Sequence, residues 1–222
     1  MLRVGLTGDL GSGKSTVARM LEQRGAVVFS SDEVGRALMH KGERVYAEIV
    51  AAFGSGIVTA DGSIDRRRLA TLAFDPVRPR VEELNAIVHP AVIAYEYQQI
   101  EELEAKRPDV ISVIESALIF STGHAPDGDW GQRFDCVLVI DAPEEQKIAR
   151  FVERVAGGRT ISVEARHEAE ADARGRLAVQ HGTPYPDGCM RLRNDGDMEQ
   201  LALEVSAVWE RLKQLEIAKR AS

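Results

Sequence analysis

Eight residues near the amino terminus, Gly8-Asp9-Leu10-Gly11-Ser12-Gly13-Lys14-Ser15, have the spacing G-x-x-x-x-G-K-S, a pattern suited to gripping a chain of phosphates. Glycines let the backbone turn tightly and bring successive N–H groups toward an anion. A helix that follows adds its own unpaired N–H groups and the positive end of its dipole. Lys14 then reaches the outer phosphates, and the Ser15 hydroxyl is placed to ligate Mg²⁺. Gly8 through Thr16 is therefore the expected nucleotide-binding set, with ATP and Mg²⁺ as the expected ligands.

Transfer of a phosphoryl group to an alcohol needs, besides this loop, a carboxylate that orients the acceptor hydroxyl and takes its proton. Its natural place is the carboxyl end of a neighbouring parallel strand, and Asp32 lies just past the second predicted strand. A competing reading is open at this point. Ser30-Ser31-Asp32-Glu33 has the S-x-x-E form of a capping box and would then do no more than start a helix. A GTPase switch would use the same loop, but it wants an N-K-x-D base reader, which the chain lacks. The D-x-x-G element it also wants occurs twice, at Asp32/Gly35 and Asp172/Gly175, and so discriminates little.

The elements that must hold these residues follow from apolar periodicity and breakers. Strands are expected over 3–7, 26–29, 110–114 and 136–140, with a last one over 190–193. Helices are expected over 14–24, 32–40, 43–53, from 143 to about 155, 162–179 and 198–215. The first four read as continuously apolar rather than alternating, as a parallel sheet covered on both faces requires. Between the second and third strands lies a largely helical stretch over 65–107, preceded by a turn at 60–63 and interrupted at His89-Pro90. It is too long for a crossover helix and reads as an inserted helical substructure. The polar run over 162–179 shows few apolar residues that would face a core, so mobility is expected there. A breaker cluster follows over 181–188.

At 222 residues, with 44% hydrophobic and 28% charged residues, the chain has room for one α/β domain carrying inserted pieces. A net charge of −7 disfavours a general grip on nucleic acid, whereas a small anion needs only a local positive site. Met1 leads straight into the first strand without a basic leader or a long apolar stretch, so a cytoplasmic location away from membranes is expected. Two cysteines, Cys136 and Cys189, suggest reduced thiols rather than a disulfide framework or a zinc cluster.

In order and spacing these elements resemble the dephospho-coenzyme A kinase family. The resemblance is carried by the loop 7–16, Ser31-Asp32-Glu33-Val34-Gly35-Arg36, Phe53-Gly54, Asp61-Gly62, Asp65-Arg66, Phe74, His89-Pro90, Val137 to Pro143, Arg150 with Arg154, and Asn194-Asp195-Gly196. It implies phosphorylation of the ribose 3′-hydroxyl of dephospho-coenzyme A by ATP. Asp32 would be the catalytic aspartate and Arg36 its neighbouring arginine, Arg154 an arginine at the start of a lid, and Asn194 part of the segment closing around adenine.

The implied fold is α/β, a P-loop kinase-like parallel sheet flanked by helices, with a helical substrate region and a helical lid. The core would comprise about 1–56, 108–155 and 189–222, the acceptor-binding insertion about 57–107 and the lid about 156–188. Three positions depart from the family pattern. Ser30 replaces an aspartate, Asp9 replaces the second loop glycine and sets a carboxylate near phosphates, and 115–121 reads E-S-A-L-I-F-S in place of D-x-P-L-L-x-E. Glu115 could still act on Mg²⁺ through water.

Other residues carry two readings each. His89 could touch the acceptor or serve as a structural hydrogen-bonder before a helix. Arg66, with Arg67 and Arg68, could meet an anionic acceptor or form a solvated helix face. Arg150 and Arg154, four residues apart, would mildly repel on a helix unless an anion is expected there. The expected set is thus Lys14, Asp32 and Arg154 for catalysis, Asn194 beside the loop for nucleotide, and Asp32, Arg36, Arg66 and His89 for acceptor. Ser15 and Glu115 would serve the metal. The partner is a small molecule, and the protein itself a monomer or weak homo-oligomer. Other acceptors, or a non-catalytic nucleotide sensor, are the alternatives.

Overall fold

A computed structural model describes residues 1–120, 130–180 and 185–221. In chain order the elements are β1 (Leu2–Gly8), α1 (Lys14–Glu22), β2 (Val27–Ser30), α2 (Ser31–Leu38), α3 (Arg44–Phe53), α4 (Arg66–Ala73) and α5 (Val81–Lys106). There follow β3 (Ile111–Glu115), α6 (Trp130–Arg133), β4 (Cys136–Asp141), α7 (Glu144–Ala156), α8 (Val163–Gln180), β5 (Met190–Arg193) and α9 (Met198–Ala221). The sheet order is β2-β3-β1-β4-β5. β1 pairs in parallel with both β3 and β4, and β4 pairs in parallel with β5. The chain divides inside β2 into two compact units, one of Met1–Val28, Arg107–Ser121 and Trp130–Ser222, the other containing Phe29–Lys106.

The first unit is built around β1, whose Leu2, Val4 and Leu6 point to one face. They join Ile111 and Val113 of β3 and Leu138 and Ile140 of β4 in a single buried cluster. Helix α1 covers that face with Val17, Ala18 and Leu21, and α9 covers it with Leu201, Val205 and Leu212, each set at helical spacing. Register then fixes what stands at the carboxyl edge. Leu6 lies opposite Glu115 and Gly8 opposite Ile140, so the loop after β1 starts level with the end of β4 and just past the end of β3. Cys136, half-buried at the start of β4, packs against this core. Burial first, then the Asp135 charge, pushes its thiol up to about 12. Burial raises Cys189 as well.

A second cluster in this unit shows that the few apolar residues over 162–179 do form a core face. Ala169, Ala173 and Leu177 of α8 are buried against Ile148, Phe151 and Val152 of α7. Two of the three α8 contacts are alanines, small enough for close approach but weak as a hydrophobic signal. Gly157, at φ 58°, ends α7 in the left-handed conformation that favours glycine.

The second unit packs Val45, Ile49 and Phe53 of α3 with Ile57, Leu69 and Ala73, and with Leu84, Ile87, Val88 and Ala91 of α5. The expected interruption at His89-Pro90 does not occur, because α5 runs unbroken through Pro90. Apolar residues packed on both sides of Pro90 offset a helix penalty of roughly 3 kcal/mol. The break falls earlier, between α4 and α5. There Arg80 lies 4.2 Å over the Phe53 ring, donates to the Ala52 carbonyl and pairs with Glu83, fastening the start of α5 to the end of α3. Among the described residues no helix is long and apolar enough to cross a membrane.

Candidate functional site

The loop between β1 and α1 takes the backbone its glycines were expected to supply. Gly8, Gly11 and Gly13 have φ of 149°, 72° and 98°. At Gly8 a methyl group would collide with the Ile140 carbonyl oxygen, and at Gly11 with that of Lys147, so the loop is pressed against β4 and α7. Gly13 is the N-cap of α1 and has no side chain to cap the helix, which leaves the first-turn N–H groups and the dipole for a ligand. Lys14 Nζ donates to the carbonyls of Gly8 (2.7 Å) and Asp9 (3.0 Å), holding the ammonium at the loop.

The loop is clamped from behind. Leu10 inserts its side chain into the α7–α8 cluster, and its N–H donates to Gln180 Oε1 at 2.9 Å. Asn194, buried after β5, donates from Nδ2 to the Ser12 carbonyl at 2.8 Å, and its own N–H reaches the Asp141 carbonyl. Arg150 of α7 donates to the Asn194 carbonyl at 3.0 Å and reaches those of Gly11 and Ser12 at 3.5 Å.

The Asp9 carboxylate is buried. It accepts from Lys147 Nζ at 2.6 Å and from the Tyr185 hydroxyl at 2.8 Å, and Lys147 also pairs with Asp141 at 3.1 Å. Burial alone would pull the Lys147 pKa down, but its bonds to Asp9 and Asp141 outweigh this and raise it. Burial and the bond to Asp9 push the Tyr185 hydroxyl up as well, so it stays a donor. The repulsion expected between Asp9 and phosphate is thus met by a neighbouring ammonium.

At the loop's other end Ser15 Oγ donates to Glu115 Oε1 at 2.7 Å. Two hard oxygens at one point, one of them anionic, fit the partial protein shell that Mg²⁺ takes alongside substrate phosphates.

In the second unit Asp32 is exposed in the first turn of α2, where a negative charge suits the helix dipole. Ser30 occupies the N-cap position but makes no side-chain capping bond, so the capping box allowed by the sequence is not formed. Ser31 instead donates to Glu96 Oε1 of α5 at 2.5 Å, tying the start of α2 to a carboxyl that is only 2% exposed. Arg36 and Arg66 line one cleft of about 580 Å³ together with Met39, His40, Lys41, Ser63 and Ile64. Asp65 caps α4 by accepting from the N–H groups of Arg67 and Arg68.

The structure therefore gathers Gly8 to Thr16, Asn194 and Glu115 in the first unit, and Asp32, Arg36 and Arg66 in the second. His89 is half-buried on α5 and does not line the cleft. Arg154, in the last turn of α7, lies 5.3 Å from the Phe151 ring centre, and Arg150, its expected companion, turns to the loop. Lys147, Tyr185 and Gln180 were not anticipated. The sole signal for them was the anomalous Asp9, which called for a counter-charge without saying where. Of the residues read from sequence, Ser121 and 181–184 in the breaker cluster lie outside the described residues.

A family model described as dephospho-CoA kinase matches residues 2–182. A dephospho-CoA kinase of Syntrophus aciditrophicus is 33% identical over 222 residues, covering 100% of this chain and 88% of the relative. One from Streptomyces avermitilis is 36% identical over 211 residues, covering 94% and 93%. Among solved structures, a Thermus thermophilus protein superposes with a TM-score of 0.64 at 28% identity, covering 95% of this chain and 97% of its own. A dephospho-CoA kinase from Campylobacter jejuni gives 0.61 at 18% identity, covering 96% and 97%, a likeness of fold.

Proposed function

This chain belongs to the dephospho-CoA kinase family, and from that premise we propose that it transfers the γ-phosphoryl of ATP to the ribose 3′-hydroxyl of dephospho-CoA, in the cytoplasm, giving coenzyme A and ADP. The observation that carries this reading is the loop itself, with three positive-φ glycines, an uncapped helix start and Lys14 held at the loop. Such a cradle supplies fixed donors for charge that spreads over the transferring group.

Roles divide among the chain's own residues. Lys14 and the loop amides bind and stabilise phosphate charge. Asp32 orients the acceptor hydroxyl and receives its proton at the carboxylate, and Arg154 joins as the lid, about 156–188, closes and excludes water. The helical stretch of about 57–107, with Arg36 before it, receives the acceptor. The cleft lined by Arg36, His40, Lys41 and Arg66 has no carboxylate among its lining residues and suits an acceptor that itself carries phosphates. Mg²⁺, when bound, would screen phosphate charge, with Ser15 as its ligand and Glu115 acting through water.

The test is ADP release with and without dephospho-CoA, with the product identified. Strong acceptor-dependent release supports the proposal. Stimulation only by another hydroxylated metabolite would reassign the acceptor, and tight ATP binding without turnover would make the chain a sensor. A finer expectation concerns Glu115→Gln, which should raise the Mg²⁺ concentration for half-maximal rate by about tenfold, as lost outer-shell partners do. An unchanged Mg²⁺ titration would leave Glu115 as no more than the acceptor for Ser15.

A further inference from the structure

The second loop position holds an aspartate, Asp9, whose carboxylate is met by an ammonium from α7, 138 residues away in sequence. The Lys147 side chain is 3% exposed and the Asp9 side chain 8% exposed, so the pair lies out of bulk solvent, where charge is weakly screened. Tyr185 fills the other carboxylate oxygen, and Asp141 takes a further bond from Lys147. The Lys147 carbonyl also sits where a side chain at Gly11 would have to go, so α7 touches the loop at two points through one residue.

We propose that Lys147 is a positioning residue for ATP, acting through Asp9. It cancels the one negative charge built into the phosphate loop and, with Tyr185, fixes the loop's second position against α7 and the segment after α8. The proposal rests on the reading that this loop takes the triphosphate of ATP. Without Lys147, the Asp9 carboxylate keeps its bond from Tyr185 but loses the buried ammonium beside it, so its charge bears more strongly on incoming phosphates. Binding suffers and chemistry does not, because neither Lys147 nor Asp9 is assigned to the transferring group. Removing the carboxylate together with the ammonium removes the conflict, so the two substitutions must couple strongly.

The experiment is a double-mutant cycle on the full chain, with Lys147→Met, Asp9→Gly and the pair measured for Mg-ATP binding by calorimetry, for KM and kcat, and for melting temperature. Lys147→Met is expected to weaken ATP binding and raise KM for ATP by about tenfold or more, with kcat within about threefold. Adding Asp9→Gly is expected to return most of that loss. A wild-type KM in Lys147→Met, or a double variant as impaired as Lys147→Met, overturns the proposal. Should Lys147→Met not fold, the comparison moves to the double variant against Asp9→Gly alone. Equal KM values support the proposal, and a tenfold gap overturns it by giving Lys147 a role apart from Asp9. Absence of Mg-ATP binding by the wild type would instead remove the ATP reading on which the proposal stands.

Discussion

Replacing Asp32 with asparagine is expected to cut phosphoryl transfer by about a hundredfold or more while Mg-ATP affinity stays within about twofold of wild type, since a positioned general base contributes on that scale. The structure makes this substitution unusually clean. Asp32 is exposed in the first turn of α2, and the capping box that might have made it a structural residue is not formed. The tie that holds this end of α2, from Ser31 to Glu96, involves neither oxygen of Asp32. What asparagine removes locally is a dipole interaction of about 0.3–1 kcal/mol, too little to unfold the domain. A single-turnover measurement with saturating ATP, set beside calorimetric ATP binding and a melting curve, separates the roles. Full transfer in the variant would reduce Asp32 to a favourable charge at a helix start.

Lys14→Ala should fail at binding as well as transfer, losing roughly a hundredfold to a thousandfold in kcat/KM for ATP, as removal of one preorganised donor to developing charge does. Its ammonium donates to the Gly8 and Asp9 carbonyls of its own loop, and it is not part of the apolar clusters that hold the domain together. The melting temperature without nucleotide should therefore change little, while the rise produced by Mg-ATP should shrink sharply. An alanine variant with normal ATP use would mean that the loop amides suffice and that the lysine serves another purpose. Taken together, the two variants distinguish binding from transfer. Asp32→Asn should keep the thermal shift and lose the product, and Lys14→Ala should lose both.

Local patterns were legible in the sequence, and partners across the chain were not. The strand over 190–193 matches β5, and the loop's spacing foretold both its glycine backbone and its placement between a strand and a helix. Those features depend on neighbours a few residues apart. Asp9 shows the limit. Its type announces a charge problem, but its solution comes from Lys147 and Tyr185, and only folding brings them together. The core face of α8 was missed because alanines supply two of its three buried contacts. Pro90 was read as a break because local preference favours one, and α5 continues because apolar neighbours on both flanks are packed. Asn194 was expected in the segment that closes around adenine, and its spacing gave no sign of the bond its amide makes to the loop's own backbone at Ser12.

The two protein thiols have a bearing on handling of the proposed substrate. Dephospho-CoA ends in a sulfhydryl, and its oxidised forms exchange with whatever thiolate they meet. At neutral pH Cys136 remains almost wholly protonated, with its pKa near 12, and Cys189 is shifted the same way. Because the thiolate is the attacking species, Cys136 is a poor nucleophile and the reactivity of Cys189 is lowered. Burial against the core thus keeps the Cys136 thiol from ready exchange with the molecule the chain is proposed to bind.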